Sequence, residues 1–173
     1  MKKLLVVPIA LLLFGCGHSK GPMAMATLDS TSGSTAKGTV HFQNAGEDGV
    51  EVVVDLTGVP PGVHGFHVHD KGDCGNNAQN AGGHFNPNEM VHGAPDAVSH
   101  HAGDFGNVTA DDKSEVHARF TTHAISINMG TNAVAGHAVV LHGNPDDLVS
   151  QPAGNAGPRI GCGVVTLMGT MKP

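Results

Sequence analysis

Short segments in which apolar and polar residues alternate recur along most of this chain. VEVVVDL and EVHARF show the two-residue period clearly, whereas no stretch has the period of an amphipathic helix. Clusters of Gly, Pro, Asn and Asp separate the segments, as expected for turns. The pattern predicts seven β-strands, at about 24–30, 36–43, 49–57, 63–69, 115–122, 135–142 and 162–168.

A chain of strands without helices predicts an all-β fold, either a sandwich or a barrel. Its 173 residues suffice for one domain with a full core. Two long connections interrupt the pattern, residues 70–114 and residues 143–158. Loops this long are usually functional or disordered. The first contains four histidines and a cysteine, which indicates a loop held in place by bonds.

The first residues have the pattern of a targeting segment. Two lysines precede an apolar run, Leu4 to Phe14, that is too short to span a bilayer but typical of a signal peptide. The run ends in LFGC, which resembles the bacterial lipoprotein signal whose cysteine, here Cys16, carries the lipid. We therefore expect a signal peptide at 1–15, a lipidated tether at 16–24 and a folded domain at 25–173. The alternative is an ordinary cleaved signal followed by a chance cysteine.

Net charge and cysteine content bear on the partners and on the compartment of the protein. The formal net charge of −6 argues against nucleic acid as a partner, because that binding depends on basic patches. A lipid on Cys16 leaves Cys74 and Cys162, and an oxidising compartment favours their pairing. Two free buried thiols are the alternative. The expected location is the cell envelope, with the protein anchored to a membrane and facing the periplasm or the cell exterior.

Histidine is the unusual residue of this composition, with 13 copies against nine Lys and Arg. In the run HGFHVH, residues 64–69, His67 and His69 share one face of the predicted strand, whereas His64 shares the other with Phe66 and Val68. Further histidines lie in GGHFNP, VHGAPD, HAGD and AVVLH. Imidazole suits zinc and copper, and a carboxylate added to three imidazoles suits zinc. No methionine or cysteine is spaced to predict a soft copper(I) cluster.

Six linked motifs, HGFHVHD, GGHFNP, HGAPD, HAGDFGNVTAD, VVLHGNPDDL and GNAGPRIGCGV, together resemble the copper/zinc superoxide dismutase family. The resemblance runs from about residue 25 to the C-terminus. It implies an eight-stranded Greek-key β-barrel, related to the immunoglobulin-like sandwich, with long metal-binding and active-site loops. The short spacing from His69 to Cys74 is similar to that of exported bacterial members.

The resemblance also implies a set of metal ligands. His84 would bridge the two metals, and His101 is preferred to His100 because it keeps the HxGD spacing to Asp104. The implied copper ligands are His67, His69, His84 and His142. The implied zinc ligands are His84, His92, His101 and Asp104.

Other residues match the family's supporting positions. Asp146 resembles a carboxylate that orients one ligand of each metal, and Arg159 resembles the arginine beside copper. His64 resembles a structural histidine that bonds to backbone. Cys74 and Cys162 resemble the family's disulfide between the long loop and the last strand.

The implied activity is dismutation of superoxide to dioxygen and hydrogen peroxide, with Arg159 and His84 as the catalytic residues. The loop after Asp146 has no Lys or Glu, which predicts weaker or differently placed electrostatic steering of the anion than in animal members. A copper- and zinc-binding protein without turnover is the main alternative, and an adhesive β-sandwich with incidental metal is another. The family contains monomers and dimers, so a homodimer is possible.

Overall fold

The computed structural model describes residues 21–46 and 49–169, and its regular structure is almost entirely β-sheet. The predicted signal peptide and Cys16 lie outside the described residues. The strands are β1 Met23–Ser30, β2 Lys37–Gly46, β3 Gly49–Thr57, β4 Gly62–His69, β5 Asp104–Ala110, β6 Glu115–Thr122, β7 Ala138–His142, β8 Arg159–Val164 and β9 Thr166–Met168. One 3₁₀ turn, Gln79–Ala81, lies in the first long loop. Within the described part of the chain, no helix is long and apolar enough to cross a bilayer.

The strands form one antiparallel sheet that curls into a nearly closed barrel. Their order is β5-β4-β7-β8-β1-β2-β3-β6, with β9 paired to β1. The two end strands, β5 and β6, meet through Phe105 and Phe120, whose ring centroids are 5.3 Å apart. The expected eight-stranded barrel is therefore confirmed, with the short β9 as an addition.

The core follows from the alternation along each strand. In β1, Ala24, Ala26 and Leu28 are buried inside the barrel, whereas Met23 and Met25 face outward and are half-buried. A second, smaller cluster lies outside this core and contains Ala78, Ala81, Ala138, Val140 and Cys162. This second cluster packs the first long loop onto β7 and β8.

The sequence pattern misses β5, which lies inside the predicted loop 70–114. Its partner β4 advances from Gly65 to His67 while β5 moves from Asn107 to Asp104, so β5 contains one extra residue. Such a bulge disrupts the two-residue period. Gly106, with a φ of +73°, provides the left-handed backbone at this point. The predicted strand 162–168 is also wrong in detail, because two strands, β8 and β9, meet at Val165.

Candidate metal centre

Two strands of the barrel supply three of the predicted copper ligands. His67 and His69 lie on one face of β4, opposite Val140 and Ala138 of β7, and His142 ends β7. Phe66 and Val68 point the other way into the core. The period of the strand therefore places the imidazoles outside the core but beneath the long loops, where they are almost fully buried.

The fourth residue of this set, His84, comes from the first long loop. Phe85 donates its N–H to the Val68 carbonyl, and Val68 donates to Gly103, so the loop is bound to the edge of β4 beyond the end of its pairing with β5. Gly103 allows this approach, because a Cβ there would lie 2.3 Å from the Val68 oxygen. The glycine of the HAGD motif is thus a packing requirement.

The ring nitrogens of the first set are oriented by hydrogen bonds on their far sides. Nδ1 of His69 donates to the Gly82 carbonyl at 3.0 Å, and Nδ1 of His142 donates to Gly157 at 3.3 Å. Their Nε2 atoms lie 3.2 Å apart. His67 bonds Asp146 through Nε2 instead, which leaves its Nδ1 for a metal. This set therefore offers three Nε2 atoms and one Nδ1 atom.

In the second set of ligands, three histidine rings surround one carboxylate oxygen of Asp104. Asp104 Oδ1 lies 2.7 Å from Nδ1 of His84, 3.1 Å from Nδ1 of His92 and 3.2 Å from Nδ1 of His101. Asp104 Oδ2 accepts from the backbone N–H groups of Gly93 and His101, whereas Oδ1 contacts only the imidazole rings and is the oxygen available to a metal. The edges of a zinc tetrahedron with bonds of about 2.0 Å are about 3.3 Å long, close to these separations.

Unpartnered buried nitrogens identify where the metals fit. In the described residues, four buried side-chain atoms have no hydrogen-bond partner, namely His67 Nδ1, His84 Nε2, His92 Nδ1 and His101 Nδ1. Buried polar atoms are normally satisfied, and all four belong to the two sets. The ligand atoms of each set lie within 4.8 Å of one another. The first set fits a copper site and the second fits a zinc site, and the two share the ring of His84; we call them the copper-type set and the zinc-type set.

Asp146 connects the two sets. Its Oδ2 accepts from His67 at 2.7 Å and its Oδ1 accepts from His92 at 3.0 Å, so one carboxylate fixes a ring of each site. Two amides hold these residues in turn. Asn107 donates to the Asp146 carbonyl and accepts from its N–H, and Gln151 makes the same pair of bonds to His92. Sequence reasoning missed both amides, because their partners are main-chain groups that leave no motif.

Burial sets the protonation of these rings. Desolvation lowers the pKa of His67 and His69 well below the ordinary value, and lowers the pKa of His142 to about 4. Burial raises the pKa of Asp104, but hydrogen bonds from His84 and from backbone N–H groups outweigh it, so the net shift is downward. At neutral pH these groups are neutral imidazoles and a carboxylate, the forms that bind metal.

A cleft of about 420 Å³ opens onto the first set only. Its lining includes His69, His84, His142, Gln151 and Arg159. The guanidinium of Arg159 donates to the carbonyls of Ala78 and Gly82, at 2.5 and 2.6 Å. Burial lowers the pKa of Arg159, yet a guanidinium remains charged at neutral pH. The zinc-type ligands other than His84 do not line this cleft.

The other predicted residues are found as follows. His64 is buried between the carbonyls of His142 and Pro60, at 2.9 and 2.7 Å. Cys74 and Cys162 form a disulfide that joins the first loop to β8. His100 bonds the His101 carbonyl and takes no part in either metal set.

A β-barrel that carries two histidine sets with one imidazole in common defines a dinuclear metalloprotein of the copper–zinc type. The family model described as copper/zinc superoxide dismutase (SODC) matches residues 36–165, and the chain belongs to this family. Among solved structures it is similar to the one titled "Crystal Structure Analysis of the clock protein EA4". The two are 39% identical with a TM-score of 0.78, and the match covers 84% of this chain and 94% of that one.

Proposed function

We propose that this protein is an enzyme that converts two superoxide ions and two protons into dioxygen and hydrogen peroxide. The observation that carries the proposal is the open cleft, in which three ligands of the complete copper-type set lie beside the Arg159 cation. Copper bound by these residues would supply a one-electron couple, which can accept an electron from one superoxide ion and return it to the next. A site that only stores metal has no need for a cation beside an open cleft.

Arg159 binds and orients the substrate anion. Its two carbonyl partners fix the plane of the guanidinium, so Arg159 binds a small anion without losing further side-chain entropy. Guanidinium N–H groups suit bidentate contact with paired oxygen atoms. The cation is also the source of local attraction in a chain whose net charge is −6.

His84 supplies a proton at Nε2. Its Nδ1 faces Asp104 in the zinc-type set, whereas Nε2 belongs to the copper-type set and the ring lines the cleft. Zinc bound by Nδ1 would keep the ring in place, and Nε2 would carry the proton whenever it is not bound to copper. The proton is then delivered next to the oxygen atoms that Arg159 orients.

Pulse radiolysis of the purified chain, loaded with measured amounts of copper and zinc, tests the proposal. We expect superoxide decay that is first order in copper-loaded protein and absent from zinc-only protein. Stoichiometric copper and zinc without accelerated decay would identify a metal-binding protein without turnover. Failure to retain either metal would contradict the assignment of both sites.

We propose further that the protein is exported and held at a membrane by a lipid on Cys16. The support is the sequence pattern of residues 1–16 and the disulfide, which suits an oxidising compartment. Membrane fractionation with incorporation of a labelled fatty acid tests this, with Cys16→Ser as the matched variant. A wild-type chain that is soluble and unlabelled would show an ordinary signal peptide.

A further inference from the structure

A second group of potential metal ligands lies on the outer face of the barrel, away from the two histidine sets. Met23 of β1 is paired directly with Met168 of β9, and Met25 of β1 is paired directly with His41 of β2. We call these four residues the Met–His patch. Directly paired side chains of an antiparallel sheet point to the same face, with Cβ atoms about 4.5–5.5 Å apart.

All four side chains of the Met–His patch face outward. The strand neighbours of Met23, Met25 and His41 are fully buried in the barrel core, so these three residues have the opposite parity, and Met168 shares their face because it pairs directly with Met23. Met23, Met25 and His41 are half-buried, and Met168 is 39% exposed. The patch is thus accessible to a small ion and sheltered by its own side chains.

The chemistry of the patch selects a soft ion. Thioether sulfur favours copper(I) over zinc and over hard divalent ions, and a single imidazole complements it. Methionine has three rotatable bonds, so three sulfurs on adjacent strands can converge on one centre. The nearest carboxylate in the row of Met23 belongs to Glu51, two strands away, where it is bonded to Gln43 and Arg119.

The imidazole of His41 is available for such an ion. Across residues 21–46 and 49–169, its ring nitrogens form no hydrogen bond and no ion pair, unlike His117, which is bonded to Asp55 on the same face of the sheet. Among the described residues, the packing of the barrel therefore leaves the His41 ring without a polar partner. Its direct neighbours are Met25 on one side and Val53 on the other.

We propose that the Met–His patch binds one copper(I) ion, independently of the copper and zinc sites. The sequence pattern predicts no soft site, because only the pairing of the last strand with the first brings Met168 beside Met23. The patch gives the protein a place to hold reduced copper outside its redox site.

Anaerobic titration tests this proposal. The full chain is loaded with copper and zinc, and its bound copper is kept in the copper(I) state. Further copper(I) is then added in competition with a chromophoric copper(I) chelator. We expect one further equivalent of copper(I) to bind. The double variant Met25→Leu/Met168→Leu should lower that affinity at least about tenfold, which corresponds to about 1.4 kcal/mol. His41→Gln should weaken it in the same direction.

Met90→Leu is the matched control, because Met90 is 40% exposed but lies in the first long loop. It should bind the extra copper(I) as the wild type does. Methyl NMR of labelled methionines gives a second measurement, in which copper(I) should shift Met23, Met25 and Met168 but leave Met90 unchanged. Absence of a further equivalent, or equal binding by the double variant and the control, would overturn the proposal. Unchanged dismutase activity and melting temperature show that the double variant is folded.

Discussion

Gly154 lies against Asp146 so closely that no other residue fits there. A Cβ at Gly154 would be 1.7 Å from Asp146 Oδ1 and 2.8 Å from Nε2 of His92, the two atoms whose hydrogen bond links the carboxylate to the zinc-type set. Because Gly154 has no side chain, the Asp146 carboxylate can occupy the position from which it orients the ring of His92.

We therefore expect Gly154→Ala to weaken zinc binding. The methyl group displaces the Asp146 carboxylate from His92 and from His67, and loss of such supporting bonds typically costs about 10–100-fold in metal affinity. Competition with a zinc chelator measures this. Gly33→Ala is the matched control, because Gly33 also has a positive φ but has no atom within 4 Å of its Cβ position. Equal zinc affinity in the two variants would show that the contact with Asp146 is unimportant.

The metal-free protein should lose stability as the pH falls from about 6.5 to about 4. The folded-state pKa of His142 is about 4 because of burial, and that of an unfolded histidine is about 6.5, so the unfolded chain binds more protons in this window. The contribution of His142 to the free energy of unfolding is fully present above the pKa of the unfolded histidine. It decreases on acidification toward the folded-state pKa, by about 3 kcal/mol. His67 and His69 shift in the same direction.

Urea unfolding of the metal-free chain at a series of pH values measures this loss. His117→Gln is a suitable control, since the exposed ring of His117 has its pKa raised by hydrogen bonds to Asp55 and Glu115 and does not contribute to the loss. A free energy of unfolding that stays constant between pH 7 and pH 4 would contradict the expected burial of neutral rings.

Arg159→Ala should lower kcat/KM at least about tenfold while both metals stay bound, because Arg159 is not a ligand. Arg159→Lys keeps the charge but loses the fixed plane of donors, so it should recover only part of the activity. Stopped-flow superoxide decay together with metal analysis separates the two effects. Loss of copper from Arg159→Ala would mean that the arginine has a structural role at the site.

The rate should depend only weakly on salt. Arg159 is the only cationic side chain that lines the described cleft, and it is partly buried. We expect kcat/KM to fall less than about twofold between ~0.01 and ~0.15 M ionic strength, because screening acts mainly on exposed charges. A steep decline would point to steering by cations beyond the cleft.

Reduction of the disulfide should affect stability and activity together. The Cys74–Cys162 bond holds the loop segment whose carbonyls, at Ala78 and Gly82, orient Arg159. In the paired variant Cys74→Ser/Cys162→Ser, the free energy of unfolding should be about 2–4 kcal/mol lower. Its kcat at full metal content should also be lower. Unaltered kcat in that variant would separate the cross-link from the orientation of Arg159.

The sequence allowed prediction of the features that depend on local periodicity or on a linked motif. His67 and His69 follow from the two-residue period of one strand, and the Gly-rich motifs indicate the remaining ligands. The strand β5 could not be predicted, because the bulge at Gly106 disrupts its period. Asn107 and Gln151 could not be predicted either, since each recognises main-chain atoms of a residue about 40 or more positions away.

The two metal-ligand sets differ in the secondary structure that holds their residues. His67, His69 and His142 stand on hydrogen-bonded strands, whereas His92 and His101 stand on a loop that contains one short turn of helix before β5. A copy without zinc would keep the disulfide and hydrogen bonds of this loop but lack the metal bonds between its residues, so we expect a protease to cut the loop before the barrel. Degradation would then remove empty molecules and spare loaded ones, which makes metal occupancy a determinant of the protein's lifetime.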